Sequence, residues 1–169
     1  LLKFAKPVGV IGALTPVTNA SSTITVNGLP MLKTRNAVIF APHPKAKATC
    51  EMTCNYMRQG LRLVGAPEDL VLNIKEPSVE VTQELMRHVD LIVATGGSAM
   101  VKVAYSSGTP AYGVGAGNSV VIVDETAALK ESAKKIYLGK TFDNATSCSS
   151  ENSCILHESI FEEMVGYFK

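Results

Sequence analysis

The residues best suited to chemistry gather in Thr141-Phe-Asp-Asn-Ala-Thr-Ser-Cys148-Ser-Ser-Glu-Asn-Ser153, a small, polar, turn-rich stretch around one cysteine. A thiolate attacks carbonyls, and small hydroxyl neighbours leave room for a substrate and supply hydrogen bonds. A thiol in a polar loop is as readily a bystander, so Cys148 needs partners. Asn19 closes Thr15-Pro-Val-Thr-Asn19 at the carboxyl end of an apolar run. Its amide can donate to a developing oxyanion, or it simply turns the chain or caps a helix. Thr95-Gly96-Gly97-Ser98 carries a strand into a helix. There the backbone can approach a phosphate, and the helix N-terminus favours an anion; without a ligand it is a tight turn. His43 follows a second strand, in reach of a ribose or solvated in a loop. Gly113-Val-Gly-Ala-Gly117 lacks the helix-opening spacing of a dinucleotide fingerprint and reads as a bend. Lys33 and Arg35 read as surface charges.

Composition narrows the field. With 169 residues, 46% hydrophobic and 18% charged, the chain can bury a core of its own. A net charge of +1 argues against nucleic-acid and polybasic membrane roles, and the absence of Trp leaves little for stacking on bases. No apolar run reaches the ~20 residues of a membrane span. Cys50 and Cys54 share a helix face, but their spacing is neither a redox Cys-x-x-Cys nor a usual zinc pair. The 3 histidines lie far apart, so no metal is expected, and reduced thiols fit a cytosolic setting. The start, Leu1-Leu-Lys-Phe-Ala-Lys-Pro7, has neither an initiator Met nor a signal pattern and reads as the middle of something longer.

The positioning elements alternate. Apolar runs at 8–14, 37–41, 70–74, 91–94, 111–114 and 120–123 predict strands. Helices are predicted over 20–32, from Pro44 to about 64, from a Ser78 cap to His88, from Ser98 to about 105, over 126–139 and over 158–168. Short continuous apolar strands are buried on both faces. The fold class expected is therefore α/β, a Rossmann-like parallel sheet with helices on both faces. Near Gly139 the regular pattern gives way to the polar loop, which places a domain crossing there: 1–139, then 140–169.

Four segments in series resemble the aldehyde dehydrogenase superfamily, in its coenzyme A-acylating branch. They are Pro7-Val-Gly-Val-Ile-Gly12 through Asn19, Leu32-Lys-Thr-Arg-Asn-Ala-Val-Ile-Phe40, Ala94-Thr-Gly-Gly-Ser-Ala-Met-Val101 with Ala111-Tyr-Gly-Val-Gly-Ala-Gly-Asn118, and Lys140-Thr-Phe-Asp-Asn144 to Cys148. The resemblance implies a nucleotide-binding domain over 1–139 and the beginning of a catalytic domain over 140–169. Cys148 is similar to the family's nucleophile and Asn19 to its oxyanion-hole amide, acting with the Cys148 N–H. Thr15, Pro16, Val17, Thr95, Gly96, Gly97, Val114 and Gly115 fall at the cofactor groove, with His43 as a substitute for a ribose-binding Lys that is missing. Hydrolytic members resemble each other in a Glu that activates water; here Val114 stands in its place. That departure keeps the thioester for coenzyme A.

The reaction so implied converts an aldehyde, coenzyme A and NAD or NADP to an acyl-CoA, reversibly. The partners expected are a small aldehyde, coenzyme A and, at full length, copies of the same chain. The setting expected is the cytoplasm or a bacterial microcompartment. Family members are much longer, so the chain is expected to be a fragment, inactive alone. The Ser147, Ser149 and Ser150 hydroxyls suit a polar or anionic aldehyde. Two rivals are a nucleotide-binding module in which Cys148 is incidental and an unliganded structural domain.

Overall fold

A computed structural model describes residues 1–115 and 117–169, which fall into two compact units, Leu1–Gly115 and Ala116–Lys169. In the first, β1 (Val10–Thr15), β2 (Ala37–Pro42), β3 (Val71–Asn73), β4 (Leu91–Thr95) and β5 (Ala111–Val114) form one parallel sheet, ordered β3-β2-β1-β4-β5. Helices α1 (Ala20–Lys33), α2 (Lys47–Leu63), α3 (Val79–His88) and α4 (Ser98–Tyr105) follow β1 to β4 in turn.

Strand alternation explains why helices lie on both faces. Successive side chains point oppositely, so every second residue of an apolar strand needs its own cover. Ile11, Ala13, Val38, Phe40 and Val71 pack with Ile24 and Met31 of α1 and Cys50 and Cys54 of α2. Leu14, Ala41, Ile92 and Ala94 take the other side, with Leu85 and Met86 of α3 and Ala104 of α4. The expected Ser78 cap is present: its Oγ accepts from Val81 N–H at 3.2 Å. Buried Asn36 anchors the start of β1, its Oδ1 accepting from Val8 N–H at 2.6 Å and Gly9 N–H at 3.1 Å.

The second unit pairs β6 (Ser119–Val123) with β7 (Glu151–Leu156), again parallel. Helices α5 (Leu129–Thr141) and α6 (Phe161–Phe168) cover them, enclosing Val123, Ala133, Ile160 and Met164. Here structure and sequence reading differ. The sixth strand does not extend the first sheet but opens a second, and α5 packs with β7 and α6. Helix α5 also begins at Leu129, not Thr126, since Asp124 Oδ1 accepts from Thr126 N–H at 3.0 Å and its hydroxyl at 2.7 Å, holding a turn. No helix is long and apolar enough to cross a membrane among the described residues.

Candidate functional site

The strand order fixes where a ligand meets the first unit. The chain runs outward from β1 to β2 and β3, then returns across β1 to β4 and β5. Between β1 and β4 the following loops therefore diverge, opening a crevice at the carboxyl edge of the sheet, where open α/β sheets bind ligands. Thr15 stands level with Pro42 and Thr95 level with Val114. His43 N–H donates to the Thr15 carbonyl at 3.0 Å, and Gly96 N–H to the Val114 carbonyl at 3.1 Å. Thr15, Pro16, Val17, Asn19, His43, Thr95, Gly96, Gly97, Val114 and Gly115 thus share one edge of one sheet.

That edge is prepared for an anion. Neither α1 nor α4 has a side-chain cap at its N-terminus, and neither carries an acidic residue in its first turn. In the same sheet, α3 is capped by Ser78 and carries Glu80, whose carboxyl is held below its usual value by its own backbone N–H and Ser78. A helix N-terminus left unanswered by the protein offers its amides and dipole to an outside negative charge. A Cβ added at Gly96 or Gly97 would meet nothing within 4 Å, so crowding within the protein does not demand these glycines, and the bare backbone stays open. Thr15 Oγ1 is buried there without a hydrogen-bond partner, a cost that a ligand can offset. These features fit the pyrophosphate and ribose of a dinucleotide.

Asn19 sits where a helix cap would sit yet does not cap. Its Oδ1 accepts from Thr18 Oγ1 at 3.0 Å and its carbonyl from Thr23 N–H at 2.9 Å. Its Nδ2 donates to no acceptor among the described residues, which leaves an exposed amide free for a substrate oxygen. Thr18, given no role from sequence, orients that amide, and no periodicity announces such a contact. His43 is exposed and spends Nδ1 on Lys45 N–H at 3.2 Å, capping the short turn Pro44–Ala46; Nε2 remains for solvent or a ribose.

The second unit displays the thiol. Cys148 is the exposed one of the chain's free cysteines; Cys50 and Cys54 are buried, and Cys154 lies on the packed face of β7, where burial pushes its thiol up. The backbone enters the turn through Asp143, Asn144 and Ala145, all left-handed, with φ of 49°, 53° and 59°. Ser147 and Ser149 hydroxyls bond each other at 2.8 Å, while Ser150 Oγ donates to the Ser147 carbonyl at 2.6 Å. Ser150 therefore holds the turn rather than facing a substrate, and the hydroxyls of Ser147 and Ser149 remain. The base of the turn is fastened: Lys140 Nζ donates to Asn152 Oδ1 at 2.9 Å, and a Cβ at Gly139 would strike the Glu151 carboxylate. The described residues hold no cluster of three or more metal-ligating side chains.

Residues 2–169 match the profile of the aldehyde dehydrogenase family. The chain belongs to that family. It is 62% identical to a sulfoacetaldehyde dehydrogenase of an Acholeplasma species over 97% of its length and 34% of the relative's. It is 51% identical to the acylating sulfoacetaldehyde dehydrogenase of Bilophila wadsworthia (strain 3_1_6), over 99% of the chain and 36% of that protein. Among solved structures, Rhodopseudomonas palustris propionaldehyde dehydrogenase with bound propionyl-CoA superposes with a TM-score of 0.90 at 42% identity, covering 97% of this chain and 37% of that one. The chain spans about a third of the length of the curated relatives it matches.

Proposed function

We propose that the protein to which this chain belongs is a coenzyme A-acylating aldehyde dehydrogenase, with Cys148 as nucleophile and NAD or NADP in the crevice between β1 and β4. The observation that carries the reading is the contrast among the thiols: three are packed, and Cys148 stands exposed in a turn of small hydroxyl residues. The Cys148 thiolate adds to the aldehyde carbon, forming a C–S bond and an alkoxide. The free amide of Asn19 is the oxyanion donor of that step, a contact that typically lowers the barrier by about 3 kcal/mol. The bound nicotinamide supplies the hydride acceptor. Loss of hydride from the thiohemiacetal carbon leaves a thioester on Cys148, and attack by the coenzyme A thiol then releases acyl-CoA and the free cysteine.

The uncapped starts of α1 and α4, with Gly96 and Gly97, hold the pyrophosphate, while Thr15, Pro16, Val17 and His43 line the ribose side. Val114 and Gly115 end the cofactor edge. Val114 cannot deprotonate water, which protects the thioester until the thiol of coenzyme A arrives. In this reading residues 140–169 begin the catalytic domain and the preceding ones serve the nucleotide. The aldehyde is small and anionic, as in the sulfoacetaldehyde dehydrogenases to which the chain is similar, and the Ser147–Ser149 hydroxyl pair, bonded to each other, keeps one O–H to donate to an anionic group. The working enzyme is a homo-oligomer of the cytoplasm or of a microcompartment lumen. Assay of the intact protein with sulfoacetaldehyde, succinate semialdehyde and acetaldehyde, each with and without coenzyme A, tests this. Acyl-CoA as product and a higher kcat/KM for the anionic aldehydes are expected; free acid, or a preference for acetaldehyde, would contradict it.

A further inference from the structure

The outer edge of β5 carries a contact that neither the crevice nor the thiol has explained. β5 closes one side of the five-stranded sheet, pairing with β4 alone among the described strands. Pro110 and Val114 turn their carbonyls to β4, accepting from Ile92 N–H at 2.8 Å and Gly96 N–H at 3.1 Å. Backbone groups alternate in direction along a strand, so those of Gly113 face outward. They are not left to water. Gly113 N–H donates to Tyr105 Oη at 2.9 Å, and the Tyr105 hydroxyl donates back to the Gly113 carbonyl at 3.4 Å. One phenol, from the last residue of α4, thus takes the place of a neighbouring strand. Gly113 is shaped for it. A Cβ there would strike Val101 and come within 3.0 Å of the Tyr105 ring, while its φ is not left-handed, so the demand is for space alone. The next residue is Val114, whose carbonyl holds Gly96 N–H. Helix α4 therefore meets the cofactor edge twice: its N-terminus follows Gly96 and Gly97, and its last side chain fastens the strand that Gly96 is bonded to.

We propose that Tyr105 is a positioning residue for nucleotide binding. Its hydroxyl closes the free edge of β5 and so keeps Val114 and the Gly96–Gly97 turn in the arrangement that receives the pyrophosphate. The role rests on NAD or NADP occupying the crevice. Tyr105 touches neither nucleotide nor substrate and acts through Gly113, Val114 and Gly96 in succession. Without the hydroxyl, the Gly113 amide and carbonyl return to water, and the end of β5 is held on one side only. The turn bonded to it then has to be ordered when the nucleotide arrives, and that ordering is subtracted from affinity. Chemistry at Cys148 is untouched, so the effect falls on binding and not on turnover.

The test uses the intact protein and Tyr105→Phe, which keeps the ring against Gly113 and removes the hydroxyl alone. Calorimetric titration with NAD+ and with NADP+, in the absence of aldehyde, is expected to show a Kd about 5- to 10-fold higher than in the wild type for whichever nucleotide binds. The KM for nucleotide rises by the same factor, while kcat at saturating nucleotide stays within about twofold. In the ligand-free protein, amide exchange quickens in the peptides holding Gly96 and Gly113 and not across the rest of the first unit. Gly113→Ala, which pushes the ring off the strand, weakens nucleotide binding at least as much; if it does not fold, Tyr105→Phe decides. Tyr56→Phe, at an exposed tyrosine of α2, leaves the Kd as it was. An unchanged Kd in Tyr105→Phe beside a wild type that binds nucleotide would overturn this role alone, as would a loss confined to kcat or a lower melting temperature without loss of affinity. A wild type that binds neither nucleotide would overturn the nucleotide crevice itself, and this role with it.

Discussion

Cys50 with Cys54, and Cys148, present one functional group in opposite surroundings. The helical pair is sealed in an apolar layer, and Cys50 is pushed upward because it donates to Cys54, with burial adding to the effect. Cys148 is exposed on an irregular turn whose hydroxyls are directed inward to one another and whose base is tied between α5 and β7. The difference teaches that a thiol's exposure here is a property of backbone, not of sequence neighbours. A regular helix hides its thiols by packing a face, while three successive left-handed residues lift a thiol out of regular structure.

Four changes would break or sharpen that contrast. The largest is Cys148→Ala in the intact protein: loss of a covalent nucleophile lowers kcat on the order of 10^4- to 10^6-fold, read by NAD(P)H absorbance. A residual rate near wild type would mean that another thiol acts. Next, Asn19→Ala removes the free amide and lowers kcat about 10^2- to 10^3-fold with nucleotide affinity little changed. Equal loss of affinity would reassign Asn19 to the cofactor. Third, alkylation followed by peptide mass spectrometry finds Cys148 labelled at least roughly 10^2-fold faster than Cys50 and Cys54, whose modification waits on local opening of α2. Equal rates would dissolve the comparison. The smallest effect concerns α3, the capped helix against which α1 and α4 stand out. Ser78→Ala costs about 1 kcal/mol of stability, seen in denaturant melts, and leaves nucleotide affinity as it was.

Much of this was legible in the residues. Short apolar runs announced β1 to β5, and their lack of polar alternation announced a parallel sheet covered twice. Once the order of strands is known, Thr15–Asn19 and Thr95–Gly97 fall at the switch point without further assumption. Other features had no local signal. Pairing of β6 with β7 joins Val121 to Cys154 across a helix and a turn, a non-local choice that periodicity does not encode. The left-handed φ of Ala145 runs against its own preference and follows from how the turn closes. That Asn19 leaves α1 uncapped depends on Thr18 taking its Oδ1, a contact between neighbours that composition leaves open. The role of Ser150 likewise turned on its rotamer: one hydroxyl among three was spent on the Ser147 carbonyl.

The central claim is that Cys148 carries the acyl group and holds it for coenzyme A. The direct measurement is to give the intact protein aldehyde and NAD(P)+ without coenzyme A, quench, and map adduct masses by peptide mass spectrometry, then repeat after adding coenzyme A. The account predicts an acyl mass on the Cys148 peptide that persists without coenzyme A and vanishes with it, as a stoichiometric amount of acyl-CoA appears. An unmodified Cys148, or an adduct that decays to free acid at the same rate with and without coenzyme A, would contradict it.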